Sequence, residues 1–241
     1  ATTEIYTLSL HDALPILKPN GGWNENICLN NKFLFLQVPK TGSSAVNKSI
    51  CNYKNQELMT PVPYHKHIGL PFIESEFGLP KNHPIFAMCR NPFSQVLSVF
   101  LHMYSRGEFG WLSYGSLAQC NNPLTLHEYN CWPINIISCF EQWCIGNMSQ
   151  PMVRQSSLIK SNQSRTITIF KQEDGTNKLL NYLNKTFDIN LKNWLVNESR
   201  IKKYVPSLKE FYRDKETIDR VISSRHEEFN DFEYSTDINK I

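Results

Sequence analysis

The stretch Phe33-Leu34-Phe35-Leu36-Gln37-Val38-Pro39-Lys40-Thr41-Gly42-Ser43-Ser44 decides the fold. Phe33 to Val38 is a nearly continuous apolar run, the pattern of a strand buried on both faces. Pro39 and Gly42 then mark a sharp turn, and hydroxyl residues open an amphipathic segment that predicts a helix over 44–51. A strand, a tight turn and a helix N-terminus together make an anion cradle. The first N–H groups of a helix have no partner within it, and the helix dipole favours negative charge there. Lys40 adds a full positive charge on a flexible stem, and Thr41, Ser43 and Ser44 add hydroxyls; the main chain of Gly42 and Ala45 completes the turn. The segment is not a nucleoside-triphosphate loop of the G-x-x-x-x-G-K-[ST] kind, because no Gly-Lys pair occurs in the chain.

Working outward, Pro84 to Cys89 is a second buried strand that ends at Arg90. Asn91-Pro92 then starts a helix whose apolar positions Phe93, Val96, Leu97, Phe100, Leu101 and Tyr104 recur at helical spacing. Between these units, 52–83 reads as a long loop with a short helix near 72–77. Further on, 106–133 is loop-like, 134–145 helical, 166–170 a third strand and 175–187 an amphipathic helix. Asp214 is a good N-cap for a last helix to about Glu228. Strands alternating with helices imply an α/β fold with a central, mainly parallel sheet flanked by helices, a three-layer arrangement of the P-loop-like kind. At the carboxyl end of the second strand, Arg90 faces the crevice where open α/β sheets bind ligands. Ser98, eight residues on, is about two helical turns away, so Arg90 and Ser98 form a second candidate anion site. Read alone, such an Arg more often caps a neighbouring helix.

Composition bounds the remainder. The 241 residues are 41% hydrophobic and 12% aromatic, enough for one full core. A net charge of +3 with no basic stripe gives no sign of nucleic-acid binding. No apolar run approaches the ~20 residues of a membrane span, so attachment to a membrane would need an anchor beyond this sequence. Ile5 to Ile16 resembles a translated sequencing adapter, and residues 1–22 are set apart as non-native or disordered, leaving 23–241 as a single domain. Seven cysteines fit no C-x-x-C metal pattern and imply no metal site. Four of them, Cys120, Cys131, Cys139 and Cys144, lie close enough in sequence for two local disulfides in an oxidising compartment, with buried thiols as the alternative. Five N-x-[ST] sequons begin at Asn47, Asn147, Asn162, Asn184 and Asn197.

Taken together, the two anion sites resemble the sulfotransferase family. Pro39-Lys40-Thr41-Gly42-Ser43-Ser44 is similar to its 5′-phosphosulfate loop, and Arg90 through Ser98 to its 3′-phosphate motif, with Asn91 where the family usually has Asp. The resemblance is closest to the branch that sulfates carbohydrates, the heparan and dermatan 2-O-sulfotransferases of the Golgi. Tyr64-His65-Lys66-His67 sits where that branch carries a His-x-His pair. Ile169 to Asp174 resembles its strand-then-acidic segment, and Asn197-Glu198-Ser199, Tyr204, Tyr212 and Asp231 to Tyr234 its C-terminal pattern. The likeness spans 33–234, while 106–165 matches no part of the family pattern.

The resemblance implies transfer of a sulfuryl group from 3′-phosphoadenosine 5′-phosphosulfate to a carbohydrate hydroxyl without a metal. Lys40 would neutralise the leaving oxygen, Thr41 to Ala45 hold the 5′-phosphate, and Arg90 and Ser98 hold the 3′-phosphate. A sugar hydroxyl is a weak nucleophile, and an imidazole with an ordinary pKa near ~6.5 suits the removal of its proton. His67 is the expected base, with His65 orienting it or replacing it. The implied partner is a glycan, and the implied setting is the Golgi lumen in a eukaryote or the cytoplasm in a bacterium. Alternatives are a sulfotransferase for a small hydroxylated metabolite or tyrosine, and a non-catalytic nucleotide- or glycan-binding relative. His83 and His127 read as loop residues and His102 as a helix-face residue. Trp111, Trp132 and Trp143 read as packing residues before sugar-stacking ones, and Lys160, Arg165 and Lys171 as candidate glycan contacts or a solvated face.

Overall fold

Two buried apolar runs that share one register explain the architecture. The structure, a computed structural model, describes residues 28–29, 32–51, 60–61, 67–77, 79–105, 136–147, 154–193 and 206–241. Its strands are β1 (Cys28–Leu29), β2 (Leu34–Leu36), β3 (Thr60–Pro61), β4 (Ile85–Cys89) and β5 (Ile167–Lys171). Its helices are α1 (Ser43–Cys51), α2 (Leu70–Phe77), α3 (Pro92–Ser105), α4 (Ile136–Asn147), α5 (Gln155–Ile159), α6 (Thr176–Phe187), α7 (Leu208–Phe211), α8 (Lys215–Ser224) and α9 (His226–Asp231). Gln172–Asp174 and Ile238–Lys240 are single 3₁₀ turns.

The strand order is β3-β1-β2-β4-β5. β2, β4 and β5 run parallel, with Phe35 opposite Phe86 and Met88 opposite Phe170. β1 is antiparallel to both β2 and β3, so the sheet is mixed rather than parallel throughout. Pro61 fits because β3 is an edge, where a residue without an N–H breaks no ladder. The alternation of side chains sends Leu34, Leu36, Ile85, Ala87 and Cys89 to one face, against Leu70, Ile73, Leu79 and Ile159. Phe33, Phe35, Phe86, Met88 and Phe170 line the other, against Val46 and Ile50 of α1 and Leu179, Leu180 and Leu183 of α6. Both faces are thus covered, as parallel strands require, and the fold is mixed α/β.

A separate core of rings lies behind the apolar face of α3. Phe93, Phe100, Phe140, Trp143, Phe211, Tyr212 and Phe229 pack together there, mostly edge to face. Trp143 is a core residue, 1% exposed, as the sequence suggested. Cys144 points into the same cluster and carries a free thiol, while Cys139 is not a free thiol. Two disulfides among the four clustered cysteines are therefore excluded, and burial raises the Cys144 thiol well above its ordinary range. Cys120 and Cys131 lie outside the described residues.

Asp214 caps α8 as expected, accepting from the Thr217 N–H at 2.8 Å. The helix expected to reach Glu228 instead breaks at Arg225, whose carbonyl restarts the chain as α9 by accepting from Glu228 N and Phe229 N. The break coincides with burial of the Arg225 side chain against Glu228. Among the described residues no helix is long and apolar enough to cross a membrane.

Candidate active site

Because β2, β4 and β5 are parallel and adjacent, their carboxyl ends open on the same edge of the sheet. Three exits converge there: the Pro39–Gly42 turn after β2, Arg90-Asn91 after β4, and Gln172-Glu173 after β5. This is the position at which open α/β sheets bind ligands.

The first exit is built by its own residues. Lys40 has φ 61° and Gly42 φ 80°, two left-handed residues in a four-residue turn. For Gly42 that conformation costs little; for Lys40 it is strained, and such strain collects at functional sites. The Thr41 and Ser43 hydroxyls both donate back to the Val38 carbonyl, at 2.9 and 2.7 Å. Both side chains are buried, so their single protons serve the turn rather than a ligand. Ala45 N–H donates to the Gly42 carbonyl at 3.0 Å. Ser44 is exposed, and Lys40 half-buried.

The second exit is built by residues distant in sequence. Asn91 Oδ1 accepts from Phe93 N at 3.0 Å, so Asn91 caps α3 and shapes the turn. Glu173 Oε1 accepts from Asn91 N, and its Oε2 accepts from the Tyr234 hydroxyl, each at 2.8 Å. The Gln155 side chain takes both main-chain groups of Arg90. Tyr212 donates its buried hydroxyl to Phe93 O at 2.8 Å. Burial lowers the pKa of the Arg90 guanidinium from its ordinary value, with nearby Glu173 the main opposing influence. Burial also pushes the Cys89 thiol at the end of β4 up to about 11, although Sγ lies 3.5 Å from the Tyr234 hydroxyl.

The two turns are tied together at consecutive carbonyls. Arg90 Nη1 donates to Lys40 O, and Gln95 Nε2 of α3 to Pro39 O, each at 3.1 Å. The described chain has no cis peptide, and a trans peptide sets its N–H opposite its C=O. The amides of Lys40 and Thr41 therefore point away from Arg90 and Gln95. The two candidate anion positions, at Lys40 and at Arg90, are thus separated by this pair of hydrogen bonds. Ser98 is half-buried, about 9 Å along the axis of α3 from Pro92 at 1.5 Å per residue. Gln172 closes the third side, its side chain 3.5 Å from where a Cβ on Gly42 would stand.

His67 joins this edge through its ring. Nδ1 lies 2.7 Å from Gln37 O, three residues before Lys40. A carbonyl only accepts, so Nδ1 carries the proton and the neutral ring has its lone pair on Nε2. In that tautomer Nε2, not Nδ1, is the basic nitrogen of the ring. His65 lies outside the described residues, as do Trp111, Trp132, His127, Asn197 to Ser199 and Tyr204.

The three basic residues raised as glycan contacts have partners within the chain. Lys160 pairs with Glu227 at 3.1 Å and Asp231 at 3.6 Å. Arg165 is buried against Glu74 at 2.7 Å. The Lys171 ammonium lies 4.5 Å from the centre of the Tyr234 ring. His102 is exposed on α3 and His83 half-buried in a loop, as read from the sequence. Among the described residues no group of three or more His, Cys, Asp or Glu is placed to hold a metal ion. Gln155 has no local pattern in the sequence to mark it, and Glu173 and Gln95 stand there only inside longer motifs, with no role of their own. No family model, no curated protein and no solved structure matches this chain.

Proposed function

We propose that the chain is a carbohydrate O-sulfotransferase of P-loop-like fold, using 3′-phosphoadenosine 5′-phosphosulfate as donor. The observation that supports this reading is the 3.1 Å bond from Arg90 Nη1 to Lys40 O, which ties together the turns that carry the two candidate phosphate sites. A donor with phosphate groups at both ends of its ribose fits such a pair, whereas a nucleoside triphosphate calls for one continuous cradle. The chemistry of the donor set also fits: a lysine, helix N-terminal amides and an arginine all favour dianionic oxygens.

In this reading the amides of 41–44 and the Lys40 ammonium hold the 5′-phosphate. Arg90 and Ser98 hold the 3′-phosphate. His67 Nε2 takes the acceptor hydroxyl proton as the new O–S bond forms. Lys40 offsets the charge that builds on the departing phosphate oxygen as the old S–O bond breaks. The products are a sulfate ester and 3′-phosphoadenosine 5′-phosphate, with the proton left on the imidazole. The acceptor is taken to be a glycan, in the Golgi lumen if the source is a eukaryote.

His67→Ala tests the reading at its chemical step. Turnover with a glycan acceptor should fall about 10²–10⁴-fold, the usual weight of a general base, with donor affinity retained. Unchanged turnover would place the base elsewhere.

A further inference from the structure

Three strand exits meet at the site, and at one of them Arg90 has its main chain held by a side chain from another element on both its N–H and its C=O. Cys89 is the last residue of β4 with a ladder partner. Beyond it the chain turns into α3, and the N–H and C=O of Arg90 would be left without strand partners. The Gln155 amide supplies both: Oε1 accepts from Arg90 N and Nε2 donates to Arg90 O, each at 2.8 Å. These two bonds fix which end of the amide is oxygen, since an N–H only donates and a carbonyl only accepts.

Gln155 is itself fixed from behind. It is wholly buried, and its N–H donates to Glu228 Oε1 at 2.5 Å. The second proton of Nε2 lies 3.4 Å from Glu228 Oε2 by its nitrogen. Glu228 pairs with Arg225 at 3.0 Å, and both of these side chains are no more than 2% exposed. A connected path thus runs from α9 through Gln155 to Arg90 and on to Lys40 O.

We propose that Gln155 is a positioning residue for recognition of the donor's 3′-phosphate, holding Arg90 through its main chain, with the buried Arg225–Glu228 pair as its anchor. The inference rests on the assignment of Arg90 to that phosphate under the proposed function. A side chain that only fills space could be replaced by an isostere without altering ligand preference. One that sets the origin of a guanidinium fork could not, because a bidentate contact is lost by a shift of well under the length of a hydrogen bond.

The test compares the binding of 3′-phosphoadenosine 5′-phosphate and of 5′-AMP to the full chain by calorimetry. Wild type should prefer the bisphosphate, and lack of any preference would overturn the proposed function and this inference together. Gln155→Met keeps the volume but offers Arg90 no partner, and Gln155→Glu removes the donor to Arg90 O. Each should lose about tenfold or more of the preference while 5′-AMP affinity stays within about twofold. A folded variant that keeps the wild-type preference would overturn the inference alone. Hydrogen exchange on wild type decides the matter should both variants unfold. The bisphosphate should slow exchange at the Arg90 and Gln155 amides beyond what 5′-AMP does, and equal protection by the two ligands would refute the coupling.

Discussion

The turns at Lys40 and at Arg90 follow neighbouring parallel strands, yet they are held in opposite ways. The Lys40 turn takes its shape from within, by two left-handed residues and two hydroxyls folded back on one carbonyl within five positions. Its Pro39 and Lys40 carbonyls meet the remote donors Gln95 and Arg90. The Arg90 turn uses ordinary backbone and borrows its supports from Gln155, Glu173 and Tyr212, which lie 65 to 119 positions from the groups they hold. A local device stores strain in the main chain. A remote device stores its cost in buried polar contacts, which are expensive to break singly. The two turns should therefore fail differently when mutated.

The largest effect is expected on the remote side. Glu228→Ala leaves Arg225 buried without its counter-charge and the Gln155 N–H without its acceptor, and should cost about 3–5 kcal/mol by urea denaturation. Unchanged stability would mean that the pair is dispensable to the Arg90 turn. The local side should respond less. Gly42→Ala forces a Cβ into a left-handed conformation and should cost about 1–2 kcal/mol. Because its new Cβ would meet Gln172 only at 3.5 Å, the cost is in the backbone and enlarging Gln172 should not change it much. Lys40→Gly should act in the opposite sense, stabilising the chain by roughly 0.5–1 kcal/mol through relief of φ 61° while weakening anion binding. A destabilised Lys40→Gly would show that the turn is not strained.

The smallest effect is a titration. Cys89, the last residue of β4 beneath the Arg90 turn, has its thiol raised from an ordinary value of 9.0 to about 11 by burial. The folded state therefore holds the proton more tightly than the unfolded chain does. Any contribution from Cys89 is complete below about pH 9 and is lost as pH rises from about 9 toward 11, where the unfolded thiol ionises first. Native Cys89 should resist iodoacetamide at pH 8, and a Cys89→Ala variant should lose part of the alkaline fall in stability. Rapid labelling of the native thiol would contradict this.

The contrast between the turns also explains what could be read from the chain. β2, its turn and α1 are contiguous, so apolar run, Pro, Gly and hydroxyls all appear within about twenty residues and announce one another. The strand at β4 and the helix after Asn91 were legible for the same reason, as was the Asp214 cap. The antiparallel additions β1 and β3 were not, because a paired segment of two residues leaves no period to detect. Gln155, Glu173 and Glu228 were invisible as site residues for a different reason. Each is an unremarkable polar residue until the fold places it against a main-chain group far away in sequence. The acidic segment at Glu173 drew notice only through its likeness to a family pattern. Its position beside Asn91 and Tyr234 is what gives it a physical role. Lys160, Arg165 and Lys171 show the converse: the sequence leaves them as glycan contacts or a solvated face, and the fold engages them with Glu227, Glu74 and Tyr234.

In the proposed function, the adjacent turns at Lys40 and Arg90 hold the two ends of a bisphosphorylated nucleotide. Calorimetric titration of wild type, Lys40→Ala and Arg90→Ala with 3′-phosphoadenosine 5′-phosphate, against ATP, tests it most directly. Wild type should bind the bisphosphate at least about tenfold more tightly than ATP, and each substitution should remove most of that affinity. Equal affinity for ATP, or wild-type affinity in either variant, would contradict it.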